Sequence, residues 1–392
     1  MTAPHRTDLH CPHFGRCGGC TLLDVGIDEQ LLRKQTRARE LLAPWLLGIE
    51  PAIAPPPRTP RHDRTAILFP AQRRDRELRL GIFRPGTHEI EPIEDCRIQH
   101  KGLTRLAVRA GEVLRALRLP AYDEIAHRGL VRAFRARVMA STGELLFGLV
   151  VTDDAIRDAE RLAERMWRAA TDLRDDQGQP LEPIGFVLNK NPHRGNVLLG
   201  PDTVVQRGRG WQRDEVAGLQ LRVSFASFYQ QNRHADAILF RPALAMLGPV
   251  TGLRVVDGYG GIGAFGLRLL RAGAAEVTII ESSPSACADA RHNLHDNAFR
   301  NGSVREEAFG QTPLPPCDLL IADPPRAGLM AQGAAAILAA APARVLLVSC
   351  ALESLARDLG QLAPAYRVTE LRLCDLFPHT EHVEALTMLE RR

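Results

Sequence analysis

The sequence predicts an α/β protein whose C-terminal half is a doubly wound, mostly parallel sheet, preceded by a central α+β unit and a short N-terminal segment rich in cysteine. Three observations predict this. Short apolar runs alternate with Ala-rich stretches from about Phe225 onward, short mixed strands and helices fill His62 to about Gly210, and three cysteines crowd the first twenty residues. The expected units are residues 1–60, 61–215 and 216–392.

The N-terminal segment carries Cys11, Cys17 and Cys20 in the run C-P-H-F-G-R-C-G-G-C, with an isolated Cys96 further on. Three thiols this close, with Gly18 and Gly19 letting the chain fold around a centre, point to a metal or cluster site whose fourth ligand is Cys96. Four thiolates suit a [4Fe-4S] cluster or a structural zinc. With only one C-x2-C pair the spacing puts iron–sulfur ahead of zinc, and unconnected thiols are the third reading. The C-x3-C-x2-C loop of radical S-adenosylmethionine enzymes does not fit.

Ile27 to Leu47 reads as a helix interrupted by Pro44, and the five prolines of Pro51 to Pro60 as an extended linker. In the central unit, 66–69, 78–83 and 145–151 read as strands, and 103–117 and 155–170 as helices. In the C-terminal unit, 254–257, 277–281, 319–323 and 345–349 are short continuous apolar runs separated by helices, the pattern of parallel strands buried on both faces.

The chain has 392 residues, enough for two or three packed units. Its 45% hydrophobic and 24% charged content excludes disordered and collagen-like classes. A net charge of +4 permits a polyanionic partner without demanding one. Lysine occurs only at Lys34, Lys101 and Lys190; the Arg that replaces it elsewhere suits phosphates and base edges, though its spread through every segment fits codon bias equally well. No basic stretch followed by an apolar run marks a signal peptide, and no window approaches about 20 apolar residues. The expectation is a cytoplasmic protein, not a membrane one, whose eight cysteines are ligands or nucleophiles before disulfides.

The run V-V-D-G-Y-G-G-I-G-A-F, 255–265, sets glycines between a strand and a helix, where backbone turns tightly against a ligand. The next strand ends in Glu281, placed to accept hydrogen bonds from ribose hydroxyls. The third glycine of G-x-G-x-x-G is missing, which favours S-adenosylmethionine over NAD. Asp323-Pro324-Pro325-Arg326 follows a later strand and projects a carboxylate into the ligand crevice; Arg326 stands where amino-group methyltransferases carry an aromatic residue, which disfavours nitrogen methylation.

Carbon 5 of uracil is too weak a nucleophile to take methyl from a sulfonium unless a thiolate first adds at carbon 6, and a base must then remove the carbon 5 proton. Cys350, at the end of the strand 345–349, and Glu384, in D-L-F-P-H-T-E-H-V-E, can fill these roles. Residue chemistry alone leaves a buried structural thiol and a surface carboxylate as equal readings, with His379 and His382 as surface histidines or metal ligands.

These runs, together with Gln30 and Lys34 after the cysteines, 80–83 through Cys96, S-F-Y-Q-Q-N at 227–232, D-P-P-R-A-G-L at 323–329 and Leu355-Ala356-Arg357-Asp358-Leu359, resemble the RNA uracil-5 methyltransferase family, which modifies 23S ribosomal RNA and transfer RNA. The resemblance spans nearly the whole chain. It implies a Rossmann-like class I methyltransferase domain, a [4Fe-4S] cluster on Cys11, Cys17, Cys20 and Cys96, S-adenosylmethionine contacts from Gln230, Tyr259, Glu281 and Asp323, Cys350 as nucleophile and Glu384 as proton acceptor. Three departures stand out. The turn D-G-Y-G-G-I-G lacks the cysteine usual there, a small residue taking its place. Ala351-Leu352 replaces an Asn-Pro beyond the nucleophile, which implies reduced activity. No oligonucleotide-binding barrel is expected before Cys11. The expected function is methylation of a flipped-out uridine in 23S ribosomal RNA by a monomer, with the central unit holding RNA; transfer RNA is the rival substrate, and an RNA-binding homologue with weakened turnover or a zinc or redox protein are the other readings.

Overall fold

The computed structural model describes residues 9–56, 60–74, 77–195 and 197–392, so part of the proline linker (57–59) lies outside the described residues. The first helix, α1 (Ile27–Leu46), is amphipathic, burying Leu31, Ala38, Leu42 and Leu46 together with Gln30 and Lys34. It runs two residues past Pro44, whose missing N–H removes only one bond in the last turn. After β1 (Ala52–Ile53) come β2 (Ala66–Arg74), β3 (Glu77–Phe83), β4 (Ile90–Pro92), α2 (Lys101–Ala116), β5 (Val131–Val138), β6 (Glu144–Val151), α3 (Ala159–Ala170), β7 (Glu182–Lys190) and β8 (Asp202–Gly208). These strands, β1 apart, form a seven-stranded sheet ordered β4-β3-β2-β5-β6-β7-β8. Every pairing in it is antiparallel except β6 with β7, where α3 provides the crossover a parallel pair needs.

A hairpin of β9 (Trp211–Val216) and β10 (Leu219–Ser224) follows. The unit boundary expected at residue 215 falls inside this hairpin. Its second strand docks on the C-terminal unit, where Asn293 and Asp289 accept the N–H groups of Arg222 and Ser224.

The C-terminal unit contains α4 (Arg241–Leu247), β11 (Arg254–Gly258), α5 (Ala264–Arg271), β12 (Glu276–Glu281), α6 (Pro284–Asp296), β13 (Gly302–Glu306), β14 (Leu319–Ala322), α7 (Met330–Ala340), β15 (Arg344–Ser349), α8 (Leu352–Leu362), β16 (Tyr366–Cys374) and β17 (Glu384–Arg391). Its eight-stranded sheet is ordered β1-β16-β17-β15-β14-β11-β12-β13, and only β17 runs against the rest. Alternate strand residues face opposite layers. Val255, Ile279, Ile321 and Val348 pack with α4, α5 and α6, whereas Val256, Ile280, Leu320 and Leu347 pack with α1, α7 and α8. Thus α1 and β1, expected to accompany the cysteines, pack instead on the C-terminal sheet.

Candidate active site

Ligands of such sheets bind beyond the carboxyl ends of the strands, where the strand order reverses. Here the chain passes from β11 to β12 on one side and returns to β14 on the other. Gly258 pairs with both Ile280 and Ala322, and Ala322 with Leu347. Tyr259, Glu281, Asp323 and Cys350 therefore emerge at one rim, from four adjacent strands. Because β17 is antiparallel, its first residue lies at that rim too. Ser349 pairs with Ala385, so one further step along the ladder sets Glu384 beside Cys350.

The electrostatics agree with that placement. Burial pushes the Cys350 thiol up, Glu384 and Asp323 push it further, and Arg326 opposes them. Glu384 is 4% exposed, and burial lifts its carboxyl to about 7. It is no surface carboxylate. Asp323 is held well above the usual range by burial and then by Glu384 and Asp257. Asp257, which sequence reasoning passed over, is fully buried and raised to about 7 by that burial; one oxygen accepts the Gly266 N–H at 2.8 Å while the other has no partner. Its signal was available: a carboxylate ending an apolar strand directly under a glycine turn.

The turn itself is tightly built. Tyr259 adopts a left-handed backbone at φ +57°, donates its hydroxyl to the Leu329 carbonyl and packs on Phe309. Gly263, at φ +85°, has no room for a Cβ, which would lie 2.4 Å from Leu267. At Gly260 a Cβ would come within 2.7 Å of Ile279, so the missing cysteine has been matched by closer packing. Glu281 is aimed by the N–H groups of Gly261, Ser282 and Ser283 at 2.7–3.0 Å, three of the roughly four bonds a carboxylate accepts. Gln230 lies in an irregular segment between Tyr229, whose hydroxyl donates to Asp214, and Gln231, whose carbonyl accepts from Thr65. Among the described residues no hydrogen bond links the Gln230 side chain to the glycine turn.

Beyond Cys350, the Ala351 carbonyl accepts from the hydroxyls of both Ser349 and Ser354, and Leu352 is buried as the first residue of α8. Two serines thus brace the loop that the resemblance expected an Asn-Pro to stiffen. On the other side, Asp358 accepts the Leu329 N–H at 3.0 Å and fixes the end of the D-P-P-R-A-G-L loop.

His379 is not a surface residue. It is fully buried at φ +65°; Nε2 faces the Pro60 carbonyl at 3.1 Å and Nδ1 faces the Gln30 amide at 3.3 Å. Burial holds its pKa below the usual histidine value, so it is neutral, with Nε2 carrying the proton that Pro60 accepts. His382 is exposed.

The four N-terminal thiols lie within mutual electrostatic reach and none forms a disulfide. Burial, and then their mutual repulsion, raises Cys17 to about 11 and Cys20 to about 12. The Gly18 N–H donates to the Phe83 carbonyl at 3.0 Å, and a Cβ there would sit 2.6 Å from that oxygen, so glycine is required for the loop to dock on β3. Among the described residues no three His, Cys, Asp or Glu side chains are set to hold a single metal ion. Nor is any helix among them long and apolar enough to cross a membrane.

The family described as tRNA (uracil-5-)-methyltransferase matches residues 315–392, the stretch holding Asp323, Cys350 and Glu384. The chain is 30% identical to an uncharacterized RNA methyltransferase of Halalkalibacterium halodurans over 99% of this chain and 84% of that protein. It is 33% identical to one of Gloeobacter violaceus over 100% of this chain and 84% of that protein. The crystal structure of Pyrococcus abyssi tRNA (uracil-54, C5)-methyltransferase with S-adenosyl-L-homocysteine shares the fold, with a TM-score of 0.74 at 24% identity over 96% of this chain and 86% of that one. On this similarity along 99% or more of the chain, and on the match across the rim that carries its thiol and carboxylates, the chain belongs to the S-adenosylmethionine-dependent RNA uracil-5 methyltransferase family.

Proposed function

We propose that this enzyme methylates carbon 5 of a uridine in 23S ribosomal RNA, with Cys350 as nucleophile and Glu384 as base. The observation that carries the reading is the β15–β17 register, which sets a half-buried thiol beside a buried carboxyl at the rim where the cofactor turn also ends. The Cys350 thiolate adds to carbon 6, and the ring electrons move to carbon 5, which takes the methyl group. The Glu384 carboxylate then accepts the carbon 5 proton; the electrons of that C–H bond restore the ring double bond and return the sulfur to Cys350 as thiolate. A base near 7 suits this work at neutral pH.

S-adenosylmethionine, when bound, would supply the methyl group from its sulfonium, the S–CH3 bond breaking with its electron pair left on a neutral thioether sulfur. The Glu281 carboxylate, the Tyr259 ring, Asp323 and Gln230 would hold it, and the concentration of Asp257, Asp323 and Glu384 suits a cationic sulfonium. Cys11, Cys17, Cys20 and Cys96 would hold a [4Fe-4S] cluster. Buried, mutually repelling thiols gain most from bound iron. No step of methyl transfer calls on it.

Transfer RNA is the second reading, favoured by the substrate in the name of the matching family and by the uracil-54 enzyme of the same fold. Incubation with labelled S-adenosylmethionine and RNA lacking 5-methyluridine, separated into 23S and transfer RNA before digestion, decides between them. Labelled 5-methyluridine in the 23S fraction is expected; label only in transfer RNA would move the substrate, and none in either would sink the activity.

A further inference from the structure

The buried stripe of α1 has two polar members, Gln30 and Lys34, where apolar residues would be expected, and both turn to the segment that ends in Glu384. The Gln30 amide shares its hydrogens among the carbonyls of Leu22 and Val25 and Nδ1 of His379, and its oxygen accepts the His379 N–H at 2.8 Å. One turn on, Lys34 Nζ donates to Asp375 at 2.7 Å and to the Phe377 carbonyl at 3.3 Å, with both side chains of the ion pair buried. The His379 carbonyl in turn accepts the N–H groups of Thr21 and Leu22, the residues directly after Cys20. Asn232 holds the Leu376 carbonyl, and Thr380 bridges Phe377 and His382. The run from Asp375 to Glu384 is thus held from α1 and from the cysteine loop, and those partners surround the left-handed His379 backbone, a conformation that costs free energy unless its surroundings fix it.

We infer that Gln30 and Lys34 are positioning residues for Glu384: through His379 and Asp375 they fix the segment on which proton removal depends, and through Thr21 and Leu22 they tie the cysteine loop to the same step. This rests on the base role proposed for Glu384. Among the described residues the hydrogen bonds of both side chains go to other groups than Cys350, so loosening the segment slows release of the methylated ring while leaving thiolate addition intact. A residue of purely structural importance would lower both together.

The test uses the full-length protein carrying Gln30→Leu, and separately the pair Lys34→Met with Asp375→Leu, which replaces a buried ion pair by packing of similar size. Denaturing gels read the covalent protein–RNA adduct, and digested RNA reads 5-methyluridine. In each variant we expect product formation to fall about 100-fold, the low end of what a general base contributes, while the adduct accumulates above the wild-type level. A parallel fall of adduct and product, product within about twofold of wild type, or failure of both variants to fold would overturn the inference; if one alone fails to fold, the other gives the same readout. Absence of 5-methyluridine from the wild-type protein would strike the proposed activity instead.

Discussion

Glu384 carries two consequences of a carboxyl held at about 7 by burial. As the base it must be ionised, so where proton removal limits turnover the rate should fall about tenfold for each pH unit below about 7 and level off above it. A pH profile of 5-methyluridine formation checks this, and turnover unchanged between about pH 6 and 8 would contradict the assignment. The second consequence is for stability. Between the ordinary value of 4.5 and about 7 the folded protein keeps a proton that the unfolded chain has shed, so stability declines as pH rises through that window, by on the order of 3 kcal/mol. Glu384→Gln removes the penalty and should raise the unfolding midpoint at about pH 8 by a few degrees. An unchanged or lower midpoint would show that the buried charge is compensated.

At the scale of single elements, the loop into α8 and the cysteine loop make separate predictions. Replacing both Ser349 and Ser354 by Ala removes the two hydroxyls on the Ala351 carbonyl, at a cost of about 1 kcal/mol each, and should slow adduct formation by freeing the backbone beside the nucleophile. Adduct formation at the wild-type rate would show that the loop needs no bracing. Gly18→Val drives a side chain into the Phe83 carbonyl, so protein purified anaerobically should lose most of the roughly four iron atoms expected per chain. Full iron content in that variant would remove the cysteine loop from the cluster site.

Across the whole molecule, what was legible in the sequence followed from local signals. The strands β11, β12, β14 and β15 are continuous apolar runs because both faces of a parallel sheet are covered, and the polar residues that end them, Glu281, Asp323 and Cys350, could be read as rim residues from that alone. Long-range arrangements left no such trace. The antiparallel insertion of β17 next to β15, which brings Glu384 to Cys350, depends on register between segments with no local marker. The docking of α1 and β1 on the distant sheet was hidden because an amphipathic helix does not name its partner, although polar Gln30 and Lys34 inside its apolar stripe hinted that it met something polar. His379 looked like a surface histidine because its burial is created by residues some 350 positions away.

The central claim is that Cys350 and Glu384 act on one ring in sequence, and intact mass measurement of the protein tests it most directly. After incubation with S-adenosylmethionine and unmodified RNA, followed by nuclease digestion, Glu384→Gln should carry the mass of a methylated nucleotide on Cys350, because addition and methyl transfer proceed while proton removal fails; Cys350→Ala should carry none. An unmodified Glu384→Gln protein, or Cys350→Ala protein that still yields 5-methyluridine, would contradict the account.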